Sequence, residues 1–385
     1  MKLIYSNFIL LIMVILIIFS SVFVVLILFL NSGWHKIREH KNAQFGEAFI
    51  SVLIPARNEQ YNIGELLKEI IAQDYPANLY EIIVIDDNST DKTAEIARSY
   101  GVKVISLSDY VFGNINSYKK KALEIAVSEC KGNIIVTTDA DCSVRPKWLS
   151  VISSFYKIND PDLVLMPVVF RRKNNFLNLF QFLDFMSLQA VTAATAGLNI
   201  PVMANGANLS FKKTAFLNSG GYSQSQNIAS GDDMFFLHSI SKNRNNKISY
   251  LKSKNVIVTT DACPTIKSFL NQRIRWASKS SSYKKWNIKL LLAFIYLYNF
   301  LILSAGIYIF CFHNKTNFHL ITFLVCFAAK IFIEIIFLIP VAKFFNSLKT
   351  LWLLPFIEPL HILYTVALGF LSFKKTYVWK GRKVS

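Results

Sequence analysis

From residue 3 to residue 30 the chain carries no charged side chain. Rising about 1.5 Å per residue as a helix, such a run is longer than the roughly 30 Å hydrocarbon core of a bilayer. A cleaved leader would show a shorter apolar region of about 7–15 residues and a small-residue cleavage site. Neither feature is present, so a retained anchor is expected over residues 1–35. Lys36, Arg38 and Lys41 follow it, whereas only Lys2 precedes it. That imbalance predicts that the next domain lies in the cytoplasm.

The 385 residues are 53% hydrophobic and include 32 Phe, too apolar for an ordinary soluble enzyme. Residues 288–312 and 318–338 read as two further spans, separated by a short polar turn. Glu334 is the only acid in the second, and it lies either at the interface or against protein. Residues 351–373 are broken in their first half by Pro355, Glu358 and Pro359. Three plain spans would put the basic tail, residues 374–385, outside and against the charge rule. A re-entrant or interfacial start to this last segment is therefore expected, with the tail cytoplasmic. The net charge of +18 gathers near membrane ends, as at Lys284, Lys285, Lys343, Lys349, Lys374 and Lys375. Anionic headgroups account for it, and no nucleic-acid signature accompanies it. Cys130, Cys142, Cys263, Cys311 and Cys326 form neither a metal-ligand pair nor a disulfide framework, in keeping with a reducing compartment.

Residues 46–286 alternate between strand and helix patterns. Apolar runs at 49–55, 81–85, 102–105 and 133–138 read as strands, and helices are expected at 62–71, 90–100 and 119–130. This rhythm predicts an α/β domain whose strands are parallel and covered on both faces. Ligands of such sheets bind beyond the carboxyl ends of the strands, where Asp86, Asp87, Asp139 and Asp141 fall. Residues 176–198 read equally as a helix on the membrane or acceptor side and as a core helix.

Acids at the ends of apolar strands are costly unless they hold a cation or do chemistry. Asp139-Ala140-Asp141 offers two hard oxygen donors to a divalent ion whose shell a diphosphate can complete. Asp86 or Asp87 can accept the N–H of a pyrimidine, with Pro55, Arg57 and Glu59 completing that pocket; Ser89 or Thr90 is expected to cap the following helix. Lys119-Lys120-Lys121 opens a helix with three cations, unfavourable for its dipole unless an anion is near. Asp232 and Asp233 suit either a helix-dipole role or a general base for an acceptor hydroxyl. Gly206 permits close backbone approach, and Asn208 can meet sugar hydroxyls. In the helix expected at 264–283, Gln272, Arg275 and Trp276 share one face beside Arg273. Arg and Trp there suit a diphosphate oxygen and a stacked sugar ring.

In this order, Ser51-Val52-Leu53-Ile54-Pro55-Ala56-Arg57-Asn58-Glu59, Ile85-Asp86-Asp87-Asn88-Ser89-Thr90-Asp91, Thr138-Asp139-Ala140-Asp141, Gly206-Ala207-Asn208-Leu209, Asp232-Asp233 and Gln272-Arg273-Ile274-Arg275-Trp276 resemble membrane-bound glycosyltransferase family 2. The resemblance covers residues 46–286, the flanking membrane segments and the Trp379-Lys380-Gly381-Arg382 tail. It implies a GT-A fold, a Rossmann-like nucleotide-diphospho-sugar transferase domain, and inverting transfer with Mg²⁺ or Mn²⁺. Carried over by position, Asp86 and Asp87 meet the base, and Asp139 and Asp141 the metal and diphosphate. The same resemblance implies that Asp233, with Asp232 as the other acid of the pair, is the catalytic base, and Gln272, Arg275 and Trp276 match the Gln-x-x-Arg-Trp signature. Two departures stand out: the family's Glu-Asp pair is Asp232-Asp233 here, and the Gly that precedes the family's Lys is Tyr118. The segment plan is similar to ceramide glucosyltransferase-like enzymes. The expected partners are a nucleotide diphosphate sugar (UDP-sugar first), a lipid or lipid-linked acceptor and a bacterial inner (plasma) membrane, with no nucleic acid. A processive polysaccharide synthase and a non-catalytic scaffold with a degenerate transferase fold are the alternatives.

Overall fold

The computed structural model describes residues 2–41, 46–111, 117–222, 231–278, 286–311, 317–371, 377–379 and 382–384. They form two compact units. One comprises Met1–Ser32 with Thr265–Lys375, the other Gly33–Pro264 with Thr376–Ser385. The division falls inside the first helix, α1 (Lys2–Lys36), and just before residue 265.

The second unit alternates as the sequence predicts: β1 (Ile50–Ala56), α2 (Ile63–Ile71), β2 (Tyr80–Asp86), α3 (Thr93–Ser99), β3 (Lys103–Ser106), α4 (Tyr118–Glu129) and β4 (Ile134–Thr137). After α5 (Trp148–Asn159) come β5 (Leu163–Leu165), β6 (Val168–Phe170) and the long α6 (Phe176–Gly197). They are followed by β7 (Leu209–Lys212), α7 (Lys213–Asn218), α8 (Asp232–Ile240), β8 (Ile248–Tyr250) and β9 (Val258–Thr260). Seven strands form one sheet in the order β3-β2-β1-β4-β7-β5-β8. The sheet is mixed, not parallel throughout as the strand-helix rhythm predicts. β1 to β4 run parallel, but β7 pairs antiparallel with both β4 and β5. β7 arrives after the excursion through α6 and enters the sheet from the opposite direction, which strand-helix rhythm does not disclose.

Pro55 sits within β1, a central strand, although proline cannot donate to a ladder. The position tolerates it. Leu53 turns its carbonyl toward Thr138 of the β4 side, so Pro55 faces that side too, beyond the last β1–β4 pair at Leu53 and Thr137.

α6 is a core helix rather than a membrane-surface one. The polar residues that interrupt its apolar sequence bond to its own domain. Asn178 accepts from Lys173 N at 2.7 Å, Gln189 accepts from Val168 N at 3.1 Å, and Gln181 exchanges two hydrogen bonds with the Cys263 backbone. The end of α1 crosses α6 with backbones in contact: a Cβ on Gly33 would lie 2.2 Å from the Ala194 carbonyl oxygen.

The first unit holds most of α1, α9 (Ile266–Ala277), α10 (Trp286–Cys311), α11 (Asn317–Phe344) and α12 (Leu354–Leu371). Among the described residues four stretches are long and apolar enough to cross a membrane: Leu10–Lys36, Ile288–Cys311, Phe318–Phe344 and Leu348–Leu371. The last begins as a 3₁₀ turn, Leu348–Leu353, that runs straight into α12 with Pro359 inside it. Phe19 stacks on Phe294 at 5.3 Å, and the Phe23 ring lies tilted against Tyr298 at 4.8 Å, joining α1 to α10. In the tail, β10 (Tyr377–Trp379) and β11 (Arg382–Val384) form an antiparallel pair. Residues 279–283 of the helix expected at 264–283, and Lys284, Lys285, Lys374, Lys375 and Lys380, lie outside the described residues.

Candidate active site

The loops after β1 and β2 are laced together. Arg57 Nη1 donates to the Asp87 carbonyl at 2.6 Å and lies 3.9 Å from its carboxylate. Asn58 and Asn88 both adopt φ of +52°, a left-handed conformation that Asn tolerates better than most residues. Asn58 accepts from Thr90 N and donates its own backbone N–H to Ser89 Oγ. Asp86 accepts from Ser89 N, and the Glu59 carboxylate from Asn62 Nδ2 at 2.7 Å. The caps therefore differ from expectation. Neither Ser89 nor Thr90 caps α3: its N-cap is Lys92, which makes no side-chain cap, and Asp91 just before it accepts from Thr93 N at 3.0 Å. Asn62 stands at the α2 N-cap without capping, its amide being spent on Glu59. Pro55, Arg57, Glu59, Asp86 and Asp87 are thus gathered at one sheet rim.

β4 ends at Thr137, and Asp139 follows half-buried while Asp141 is exposed. Their loop is anchored from α2. Glu69 accepts from Ser143 Oγ at 2.8 Å and from Val144 N at 2.7 Å, and Gln73 bonds both Arg145 O and Leu149 N.

Lys119, in the first turn of α4, reaches this rim. Its ammonium lies 2.6 Å from Asp139 Oδ1 and 3.7 Å from Asp232 Oδ2. Burial pulls its pKa down, but the charges of Asp139, Asp232 and Asp233 outweigh that and hold it above the ordinary lysine value. Asp232 and Asp233 open α8 behind Gly231, whose φ of +82° suits glycine. Asp232 is buried, whereas Asp233 is half-buried and accepts from Gly206 N at 3.0 Å and Met234 N at 2.7 Å. A Cβ on Gly206 would stand 3.1 Å from Asp232 Oδ2, so glycine is what lets this turn approach the acids. Three carboxylates from two elements thereby converge on one lysine.

Asn208, expected to meet sugar hydroxyls, is instead committed to the fold. It accepts from Trp148 Nε1 at 3.1 Å and donates to Pro167 O at 2.8 Å and Val256 O at 2.7 Å, with 1% of its surface exposed. Lys120 is the residue that the sequence reading passes over. It is buried with its ammonium 4.6 Å from the Phe235 ring centroid, and burial lowers its pKa to about 8 against the pull of Asp232, Asp233 and Glu124. A run of three lysines looks like a solvated face; only its place on the buried side of α4, beside Ala122 and Leu123, would have singled Lys120 out.

Gln272, Arg273, Arg275 and Trp276 belong to the other unit, on α9. Thr265 and Ser268 form a capping box that starts this helix. Arg273 covers the Trp276 ring: its guanidinium lies 4.1 Å from that ring and 5.1 Å from that of Phe269. Gln272 Oε1 is enclosed and has no hydrogen-bond partner among the described residues.

Among the described residues no three His, Cys, Asp or Glu side chains cluster as a metal cage. Asp139 and Asp141 nonetheless fit Mg²⁺ or Mn²⁺. Such ions take one or two carboxylates and fill the shell with water and substrate phosphate, and Asp141 is open to both.

Residues 51–212 match the model of glycosyl transferase family 2, and residues 134–370, more than half of the chain, that of glycosyl transferase family group 2. The chain is a family 2 glycosyltransferase. Glycosyltransferase AglE of Haloferax volcanii is 30% identical over 141 residues, 37% of this chain and 46% of that protein. The 4,4'-diaponeurosporenoate glycosyltransferase of Staphylococcus aureus is 38% identical over 107 residues, 28% of each chain. The aligned stretch thus spans less than half the length of these curated relatives. The mannosyltransferase PcManGT of Pyrobaculum calidifontis, solved with GDP-Man and Mn²⁺, superposes with a TM-score of 0.57 at 18% identity. That alignment covers 94% of this chain and 98% of the other, a likeness of fold. The mixed sheet with its helices is the GT-A fold that the resemblance implies, accompanied among the described residues by four candidate membrane helices.

Proposed function

We propose that this family 2 enzyme moves one sugar, with inversion, from a nucleotide diphosphate sugar to a lipid or lipid-linked acceptor. Its catalytic domain works in the cytoplasm, at the inner (plasma) membrane of a bacterium. The observation that carries this reading is the convergence of Asp139, Asp232 and Asp233 on Lys119. Acids on the donor side and acids suited to a base then share one polar cluster.

Asp86 and Asp87, with Pro55, Arg57 and Glu59, receive the base of the nucleotide, uridine being the first choice. Lys119 faces the diphosphate. Asp139 and Asp141 would hold Mg²⁺ or Mn²⁺, which when bound neutralises charge on the departing diphosphate. Asp233, less buried than Asp232 and oriented by two backbone N–H groups, takes the proton of the acceptor hydroxyl. That oxygen attacks the anomeric carbon from the face opposite the diphosphate, whose C–O bond breaks, and the configuration inverts. On α9, Arg275 suits a phosphate oxygen, Trp276 a sugar ring and Gln272 Oε1 a hydroxyl. An acceptor anchored in the same bilayer as the four candidate spans gains a high local concentration.

The test is heat protection of the full-length protein in detergent by UDP, GDP, ADP, CDP and dTDP, with and without Mn²⁺. Ligand at 100 times its Kd adds about 2.7 kcal/mol. One nucleotide should protect, more strongly with Mn²⁺, and Asp139→Asn should abolish the metal's share. Absence of protection by any of them would overturn the reading. With the labelled sugar donor, a lipid-extractable product bearing one sugar is expected; a long polymer would favour the processive alternative.

A further inference from the structure

A second charged cluster lies within the candidate spans, apart from the site above. Midway along the span Phe318–Phe344, Lys330 is 2% exposed and bonds to two carboxylates: Glu334 Oε1, one turn on at 2.5 Å, and Glu358 of α12. Its ammonium also lies 5.2 Å from the ring centroid of Phe23 in α1. A lysine at such depth is costly in hydrocarbon and is normally turned to a partner inside the bundle. Glu358, equally buried, is needed by Lys330 as much as it needs Lys330.

From this pair an unbroken line of contacts leads to α9. His361 Nδ1 is 3.8 Å from Glu358 Oε1, and the His361 ring lies 6.0 Å from that of Tyr364. Tyr364 stacks on Phe269 of α9 at 5.2 Å, with the rings 27° apart. Phe269 in turn carries the Arg273 guanidinium, which covers Trp276. Every member belongs to the same compact unit.

We propose that Lys330 is a positioning residue: paired with Glu358, it fixes α12 and, through the Tyr364–Phe269 stack, the pose of α9 with Gln272, Arg273, Arg275 and Trp276. The importance of that pose rests on the clamp reading of α9 given above; the mechanical link does not. Lys330 acts through Glu358 and not on substrate. Charge complementarity inside the span sets the register of α12, and aromatic stacking passes it on.

Hydrogen–deuterium exchange of the full-length protein in lipid nanodiscs tests the link without any substrate. Lys330→Met should speed exchange over α9 by roughly tenfold, the signature of local loosening, while α5 exchanges as before. Lys330→Arg, which keeps the charge, should restore slow exchange, and so should the paired swap Lys330→Glu with Glu358→Lys. Unchanged α9 exchange in Lys330→Met overturns the proposal. So does acceleration of α9 and α5 alike, which marks general unfolding. Should Lys330→Met fail to fold, Tyr364→Ala decides, because it keeps the ion pair and removes only the stack: α9 must loosen, and unchanged exchange there overturns the link. The clamp reading is judged separately, by turnover of α9 variants. Loosened α9 in Lys330→Met beside fully active Arg275 and Trp276 variants would keep the link and remove the clamp.

Discussion

Lys119 and Asp139 form a 2.6 Å ion pair between the first turn of α4 and the end of β4. The strand-end carboxylate therefore already has a counter-ion from within the fold, one that also stands 3.7 Å from Asp232. A preplaced cation of this kind costs no reorganisation when negative charge develops beside it. Lys119→Met should lower turnover of the nucleotide sugar by about 10²–10³-fold, the size seen when one preplaced donor is removed. Steady-state release of nucleoside diphosphate measures it. Turnover equal to that of the parent would remove Lys119 from the machinery.

The two acids of α8 are distinguishable. Asp233 is half-buried and held by Gly206 N and Met234 N, whereas Asp232 is buried beside Lys119. Asp233→Asn should reduce kcat by about 10²–10⁴-fold and leave heat protection by the nucleotide intact. Asp232→Asn should weaken that protection as well, because it loosens Lys119. If Asp232→Asn alone abolished turnover and Asp233→Asn did not, the base would have to be reassigned.

Much of this site is readable in the sequence because strands rich in Ile and Val stop at acids, and few structures tolerate acids there without a use. Ile82-Ile83-Val84-Ile85 before Asp86 and Ile134-Ile135-Val136 before Thr137 placed the rim within a residue or two. What depends on packing across long separations was not readable. The pairing of β7 with β4 and β5, the commitment of Asn208 to Trp148, and the burial of Lys120 rather than Lys121 are all set by partners far along the chain. Glu334 was visible as an anomaly in an apolar run. Its meaning needed Glu358, which local sequence offered only as an interruption of the last span.

Asn208 separates a structural amide from a ligand contact. Truncation to Ala orphans the Trp148 indole N–H and the Val256 carbonyl, and leaves Pro167 O with Val258 N alone. Each buried group left unpaired costs about 1–3 kcal/mol, so Asn208→Ala should lower the thermal midpoint by many degrees. Activity lost with an unchanged midpoint would instead return Asn208 to the sugar.

On α9, Trp276→Ala removes the ring that Arg273 covers, and Arg275→Lys keeps the charge but loses the planar fork. Under the clamp reading both variants should lose turnover by at least about tenfold, with nucleotide protection weakened in Arg275→Lys and kept in Trp276→Ala. Parent-like rates in both would reduce α9 to a membrane-proximal helix without a catalytic part.

Lys120 yields a prediction of pH dependence. Burial holds its folded pKa at about 8, with Asp232, Asp233 and Glu124 opposing, below the 10.5 of an unperturbed lysine. Below pH 8 the ammonium is charged in both folded and unfolded chains, and its burial penalty is constant. Between about 8 and 10.5 the unfolded chain binds a proton that the folded chain has released. Stability from this group therefore rises with pH across that window. Lys120→Met lacks the proton and the slope. The difference in thermal midpoint between parent and variant, followed from pH 7.5 to pH 10, should shift in favour of the parent as pH increases. A difference that stays flat would mean that Lys120 keeps its proton throughout, its charge being compensated more fully by the acids of α8 than burial beside Phe235 suggests.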